Sequence, residues 1–491
     1  SLEQREQNTE KAWSTKKVFS CCVLTLLIFW LPYYIVFWPG FQHGDVPMQI
    51  LQYFHLETIF QGRIATDGIN IIYSNDHPFI MTQFVGAIIK FGLHIHNLEL
   101  AYGLYSFLQM LLFIIGYSSI ITSLYKFSVR SYFLKLAVLI YAVFPVFPLY
   151  ALLLGGDSFF SVFFTFYMTG IVQIYGSHGA ILKNNKFIIA MIGSIFLMAA
   201  SKNQGVYVAA VVFLVSLFYF KKYRKQIFVS MLTPILLFQF VYQGLFFQYM
   251  HVGQVGKQEA LSFCFQQTAR YVKYHKDEVT KEEEENIDKV LDYKSIGEKY
   301  VQELSDPVKS TYKEEATSTE LKKYFISWFK MGLKHPGEYL QAFLGNTYGY
   351  YCPAFNNKKG IYLRSQSIDL YLKTRKWAAK RRDTKTLLEK VKCEVPTKLR
   401  PIRQCAETLV QITYKIPVIC WLYNPGTITW LMFMGFFVLF MRKKYNSMLE
   451  FLPVFLIFGV CLLSPKNNNL RYIYPACSML PVMLATAFGK F

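Results

Sequence analysis

Apolar runs long enough, or nearly long enough, to cross a bilayer recur from one end of the chain to the other, and no soluble fold accommodates so many. About ten fall near 18–38, 100–124, 132–151, 157–176, 186–200, 205–220, 226–248, 416–441, 447–463 and 472–489. The run at 186–200 is short, which suits a tilted helix or a locally thinned bilayer. Backbone groups in hydrocarbon must be satisfied within the segment, so the runs predict helices. The expected fold is an α-helical polytopic membrane protein of about ten transmembrane helices. Only 17% of the 491 residues are charged, and 53% are hydrophobic. The formal charge of +21 is carried at the ends of the apolar runs, as membrane topology requires, so a nucleic-acid-binding class is set aside.

Charge placement orients the chain. Lys11, Lys16 and Lys17 precede the first run, which lacks a small-residue cleavage site and reads as a retained span. With the N-terminus in the cytoplasm, the inside connections carry Lys126 and Arg130, then Lys183 and Lys186, then Lys221, Lys222, Arg224 and Lys225, then Arg442, Lys443 and Lys444. Every one is basic, as the positive-inside rule demands. The outer segments are then 39–97, 249–415 and the turn 464–471. This divides the chain into an N-terminal transmembrane module (1–248) whose first outer loop (39–97) holds amphipathic helices, a mostly helical extracytoplasmic segment (249–415) and C-terminal transmembrane helices (416–491). The charged stretch 276–293 reads as a solvated helix face. The nine cysteines have no metal-binding spacing. Cys393 and Cys405 are a possible pair, with two free thiols an equal alternative. No internal repeat is evident.

The polar residues of catalytic type gather on the outer side. The first loop opens with His43-Gly44-Asp45 ahead of an amphipathic helix and closes with Asp76-His77-Pro78. Asp157 opens the fourth span. Each acid also suits a helix N-cap. Lys202, Asn203 and Gln204 interrupt an apolar hairpin, and a cation beside two amides can bind phosphate or sugar hydroxyls. Gln266, Gln267 and Arg270 fall within about one helical turn, and Arg471 stands at the outer edge of the last span. Carboxylates and histidine can take a proton from an acceptor hydroxyl, while lysine and arginine can hold a departing phosphate.

At these residues the chain resembles the GT-C superfamily of polytopic membrane glycosyltransferases, and within it a poorly characterised bacterial family. The likeness runs through nearly the whole chain in order: HGD at His43–Asp45, NDHPF at Asn75–Phe79, GGD at Gly155–Asp157, KNQGVY at Lys202–Tyr207, FQQTAR at Phe265–Arg270, SDPVK at Ser305–Lys309 and RYIYP at Arg471–Pro475. The resemblance implies transfer of a sugar or sugar polymer from a polyprenyl (pyro)phosphate on the extracytoplasmic face of the cell membrane. It implies that Asp45 is the first-loop acid, serving as base or metal ligand, and that Asp157 is the second acidic position. Gly156 stands where a basic residue often precedes that second acid, and Lys202 stands where arginine is common.

The expected function is therefore inverting glycosyl or glycopolymer transfer to a glycolipid or cell-wall acceptor, including ligation of a teichoic-acid-type polymer. Asp45, Asp76, His77 and Asp157 are the catalytic candidates. Lys202, Gln267, Arg270 and Arg471 are candidates for the donor phosphate, and His43, Asn203, Gln204 and Gln266 for acceptor or sugar. Asp45 and Asp157 can hold Mg²⁺ or Mn²⁺, and a metal-independent route is equally compatible. A transporter or flippase for lipid-linked glycans, or a non-catalytic scaffold, is the alternative. The transporter reading predicts polar groups at mid-membrane, whereas here the spans are apolar inside.

Overall fold

A computed structural model describes residues 13–56, 73–253, 258–353 and 367–490. Lys11, and the parts of the 39–97 and 249–415 segments between these ranges, lie outside the described residues. Helix α1 (Thr15–Val36) leads through strand β1 (Phe41–Gln42) into the short α2 (Val46–Tyr53), and strand β2 (Tyr73–Ser74) precedes α3 (Phe79–His94). There follow α4 (Leu98–Lys126), α5 (Ser131–Val143), α6 (Val146–Ala151), β3 (Leu153–Leu154), α7 (Gly156–Gly176), α8 (Asn185–Ser201) and α9 (Gln204–Tyr219). Next is α10 (Lys221–Tyr249), one helix wound partly as π-helix over Leu237–Phe246, and then β4 (Val252–Gly253). A cap domain comprises α11 (Gln258–Tyr274), α12 (Lys281–Asp288), α13 (Tyr293–Lys299), α14 (Asp306–Lys309), α15 (Ser318–Lys334) and α16 (Pro336–Thr347). Short helices α17 (Ser367–Thr374), α18 (Lys376–Lys380) and α19 (Arg382–Lys390) precede α20 (Arg400–Thr413), α21 (Pro425–Met441), α22 (Tyr445–Glu450), α23 (Leu452–Leu462) and α24 (Leu470–Gly489).

This is a helical membrane protein. Among the described residues, five helices, α1, α4, α7, α10 and α24, are long and apolar enough to cross a bilayer, and six shorter apolar helices accompany them. The expected runs map onto these helices with local breaks. Pro145 separates α5 from α6, since a proline cannot continue the hydrogen-bond ladder behind it. The run at 416–441 passes through a 3-10 turn at Cys420–Tyr423 and becomes α-helical only at Pro425, behind an Asn424 cap whose Oδ1 accepts from Gly426 N at 2.7 Å. Helix α3, placed in the first outer loop by the sequence reading, is a 16-residue apolar helix packed against α2 and α4. The cysteines at 393 and 405 are both free, so no disulfide joins them.

The core lies among α1, α4, α5, α7 and α24. Its polar tips are satisfied inside, as an apolar surround demands. Trp30 Nε1 donates to Tyr141 O at 2.9 Å, Tyr141 stacks on Tyr117 at 4.2 Å, and the Tyr141 hydroxyl donates to Ser478 O at 2.6 Å. Leu24, Ile28 and Ile35 of α1 and Phe240 and Leu245 of α10 point outward, the pattern of lipid-facing helices. The bundle has two unlike ends. One carries Lys126, Arg130, Arg442 and Lys490, where Lys490 Nζ meets the buried Glu450 at 2.9 Å. The other carries the cap domain and the acidic loops.

Two further cores fix that second end. The cap domain closes around Phe265, Tyr271, Ile287, Tyr324 and Met331. Two of its helices begin with capping boxes, Thr280–Glu283 and Thr317–Glu320. Helices α17 to α19 bury Ile368, Tyr371 and Leu388 against Val46, Ile50 and Leu51 of α2. The helix that follows Asp45 is thereby clamped between the bundle and a segment more than 300 residues later in the chain.

Candidate functional site

Two parallel strand pairs, each of two residues, staple the loops together. Phe41 and Gln42 pair with Leu153 and Leu154, and Tyr73 and Ser74 pair with Val252 and Gly253. The first pairing continues as His43 N donates to Leu154 O at 2.9 Å. A Cβ at Gly155 would lie 2.9 Å from His43 Cβ, so only glycine allows this approach. Asp45, just past β1, and Asp157, in the first turn of α7, are thereby brought side by side.

Arg471, in the first turn of α24, bridges them. Its Nη2 lies 2.6 Å from Asp45 Oδ2, and its Nε contacts Asp157 Oδ2. The other oxygen of Asp157 receives Lys202 Nζ at 2.5 Å, from the end of α8. His43 Nδ1 stands 3.0 Å from Asp45 Oδ2. Lys202 Nζ also sits 4.9 Å over the ring of Tyr472. Asp157 is 4% exposed. A carboxylate buried that deeply costs several kcal/mol unless paired, and two cations compensate it here.

The capping explanation of the three acids is not what the geometry gives. Asp45 occupies the N-cap position of α2 but makes no side-chain cap bond. Asp157 lies one residue inside α7, whose cap is Gly155. Asp76 does not cap α3 either, because Asn75 Oδ1 accepts from Phe79 N at 3.2 Å. All three carboxylates are directed at cations or imidazoles instead, with Asp76 Oδ2 3.7 Å from His77 Nε2.

The acids differ in proton affinity. Burial tends to raise the pKa of Asp45, but Arg471, His43 and His77 outweigh it and hold the group well below the usual carboxylate range. Burial raises that of Asp76, with His77 opposing it and Glu259 and Asp45 adding to it. One carboxylate is thus kept ionised while its neighbour retains a proton more readily.

The turn that presents Arg471 is held by the cap domain. Asn467 Oδ1 accepts from Gly349 N at 2.9 Å, Asn346 Nδ2 donates to Ser464 O at 2.8 Å, and Ser305 N donates to Pro465 O at 2.9 Å. Asn469 caps α24 by accepting from Arg471 N at 3.2 Å. The Asp45 side is held by Arg403 of α20. Its guanidinium donates to Phe37 O at 2.9 Å, Trp38 O at 3.1 Å and Gly40 O at 3.2 Å, and stacks 4.6 Å from the Phe41 ring centre. The sequence reading missed Arg403 and the asparagines, because their partners are backbone groups distant in sequence. Arg403, on the polar side of the strongly amphipathic α20 together with Arg400, was the available signal.

Other expected members of the site lie elsewhere. Gln266, Gln267 and Arg270 are internal to the cap domain. Gln266 Nε2 donates to Val301 O at 2.6 Å, Gln267 Nε2 donates to Tyr339 O at 3.2 Å, and Arg270 Nε meets Glu338 at 2.8 Å. These bonds tie α11 to its neighbours, so the three side chains are occupied in packing and do not join the Asp45–Asp157 cluster. Asn203 follows Lys202 and accepts from Gln243 Nε2 of α10 at 3.3 Å, and Gln204 begins α9. Nor does the donor set suit Mg²⁺ or Mn²⁺. Both oxygens of Asp157 and one of Asp45 already face cations, so a divalent ion would have to displace Arg471 or Lys202.

A family profile described as "Family of unknown function (DUF6020)" matches residues 4–490. No curated protein matches the chain. No solved structure matches it.

Proposed function

The chain belongs to the DUF6020 family, and from that premise we propose that it is a GT-C-like transferase of about ten transmembrane helices. In this reading it moves a glycosyl unit or glycopolymer from a polyprenyl (pyro)phosphate donor to a glycolipid or cell-wall acceptor, on the extracytoplasmic face of the cell membrane. The observation that carries the reading is the bridge of Asp45 and Asp157 through Arg471, with Lys202 completing a charge-balanced cluster at the membrane end remote from the basic connections. Such a cluster sets acid–base groups beside phosphate-binding cations at headgroup depth, where a lipid-linked phosphate would lie.

In the proposed reaction an acceptor hydroxyl attacks the anomeric carbon, its proton passes to a carboxylate, and the bond from that carbon to the phosphate oxygen breaks with its electron pair on the leaving phosphate. Lys202 and Arg471 stabilise that leaving group. Arg471 spends Nε and Nη2 on the two acids, while Nη1 makes no bond among the described residues and is available to a phosphate oxygen. Asp45, held ionised, orients the hydroxyl or accepts its proton. Asp76 and His77 shape the acceptor side, and the raised proton affinity of Asp76 suits a proton acceptor. The fixed charges are preorganised, which favours stabilisation of developing charge over mere binding.

The test is incubation of detergent-purified protein with polyprenyl-linked glycan donors and glycolipid acceptors, with products followed by mass spectrometry beside Asp45→Asn. Product with the native protein and a loss of at least about 100-fold in the variant support the reading. Binding of the lipid-linked glycan with no turnover, equal in both proteins, would overturn it in favour of transport or scaffolding.

A further inference from the structure

The cap domain contains a cluster that the transferase reading does not use. His275 follows α11 directly, Glu278 lies one turn beyond, His335 precedes α16, and Glu338 stands in its first turn. The sequence there reads His-Lys-Asp-Glu at 275–278 and His-Pro-Gly-Glu at 335–338, one His-x-x-Glu unit written twice. The fold lays the two units across each other. His275 Nδ1 is 3.1 Å from Glu278 Oε1, His335 Nε2 is 2.7 Å from Glu278 Oε2, and His275 Nε2 is 3.5 Å from Glu338 Oε1.

We propose that His275, Glu278 and His335 form a binding site for a divalent transition-metal ion of the Zn²⁺ type. One donor atom from each lies within 4.8 Å of the other two. Donors held at about 2.0–2.1 Å on a tetrahedral ion are roughly 3.3 Å apart, so only small side-chain rotations are needed to close the set. Two imidazoles and one carboxylate are borderline ligands that suit Zn²⁺ rather than Mg²⁺ or Ca²⁺.

The surroundings have the second layer that metal-bound histidine usually has. With Nδ1 of His275 on the ion, its Nε2–H faces Glu338, which fixes the tautomer. Glu338 is in turn held by Arg270 Nε at 2.8 Å. The imidazoles of His275 and His335 stack with centroids 3.8 Å apart. Glu278 is half exposed, which leaves the fourth position of the ion open to water. The site joins the end of α11 to the connection between α15 and α16, so an ion there would brace the cap domain. It is independent of whether the Asp45 cluster transfers sugars.

The experiment uses the full chain in detergent with its thiols alkylated, so that the free cysteines cannot bind metal. Metal is stripped, Zn²⁺ is added at micromolar concentration, and bound metal is measured by mass spectrometry after equilibrium dialysis. One ion per chain, lost in His335→Ala and in the nearly isosteric Glu278→Gln, is the expected result. Co²⁺ substitution should give visible absorption bands of four-coordinate geometry in the native protein alone. Glu338→Gln should weaken affinity by roughly 10–100-fold, as second-layer changes do, and Asp45→Asn should not alter it. Equal metal content in native protein and Glu278→Gln, or none above the detergent blank, would overturn the proposal and leave the cluster as hydrogen-bonded His–Glu pairs.

Discussion

Replacing Arg403 by methionine keeps a chain of similar length over Phe41 and removes only the guanidinium. The structure sets the size of the effect. Arg403 is 3% exposed and serves three carbonyls. Phe37 O retains a bond from Gly40 N at 2.7 Å. Trp38 O and Gly40 O keep no other protein donor among the described residues. One buried and one part-buried acceptor left unpaired at about 1–3 kcal/mol each, softened by the retained packing, give a destabilisation of about 3 kcal/mol. Glu407, the ionic partner of Arg403 at 3.0 Å, is 27% exposed and on the same helix, and in Glu407→Gln the amide oxygen still accepts from Arg403 Nε, so that change should cost less, about 1 kcal/mol. Thermal unfolding of the two variants in one detergent, followed by tryptophan fluorescence, measures the difference. Arg403→Met should melt several degrees below Glu407→Gln. Equal midpoints would refute the argument that backbone carbonyls, rather than the ion pair, are the partners that matter.

Gly40→Ala should also destabilise, by at least about 2 kcal/mol in the same assay, because φ is +114° and the new Cβ would sit 2.2 Å from Ser106 Oγ and 2.9 Å from Leu152 O. Asp76 has a raised pKa in the fold, so its contribution to stability is present while it is protonated and falls away as pH rises from its unfolded value through its folded one. As a proton acceptor it should give transfer a rate that climbs as pH rises through its raised folded value, and Asp76→Asn should flatten the limb. Asp45 has the opposite sign: its stabilisation is present above its unfolded pKa and is lost as pH falls through the depressed folded value.

Much of the helical plan was legible because lipid leaves a long, simple signature: apolar runs and basic ends. What the runs did not reveal is where a proline or an asparagine cap divides one, as at Pro145 and Asn424, or that α3 is as apolar as its neighbours. The charged residues Asp45, Asp157, Lys202 and Arg471 could be singled out because a charge at a helix end near a membrane needs a reason. Their meeting rests on two-residue strands and on Gly155, which carry no periodic signal. Gln266, Gln267 and Arg270 had equal chemical promise, but their partners, Val301, Tyr339 and Glu338, are between 35 and 72 residues away. A single helix cannot show whether an arginine faces a cleft or a neighbouring acid.

The winding of α10 has a mechanical consequence. A π-helical stretch packs more residues into each turn than an α-helix does, and it is normally the less stable winding. Releasing one residue from that stretch into ordinary α winding would turn everything beyond it by about 100° and advance it by about 1.5 Å. What lies beyond is Tyr249 and then β4, whose partner β2 is the root of the Asp76 loop. The winding of α10 and the position of the Asp76 loop are thus joined through one two-residue strand pairing, so a residue inserted into or deleted from Leu237–Phe246 would have to be absorbed before Val252 for that pairing to survive.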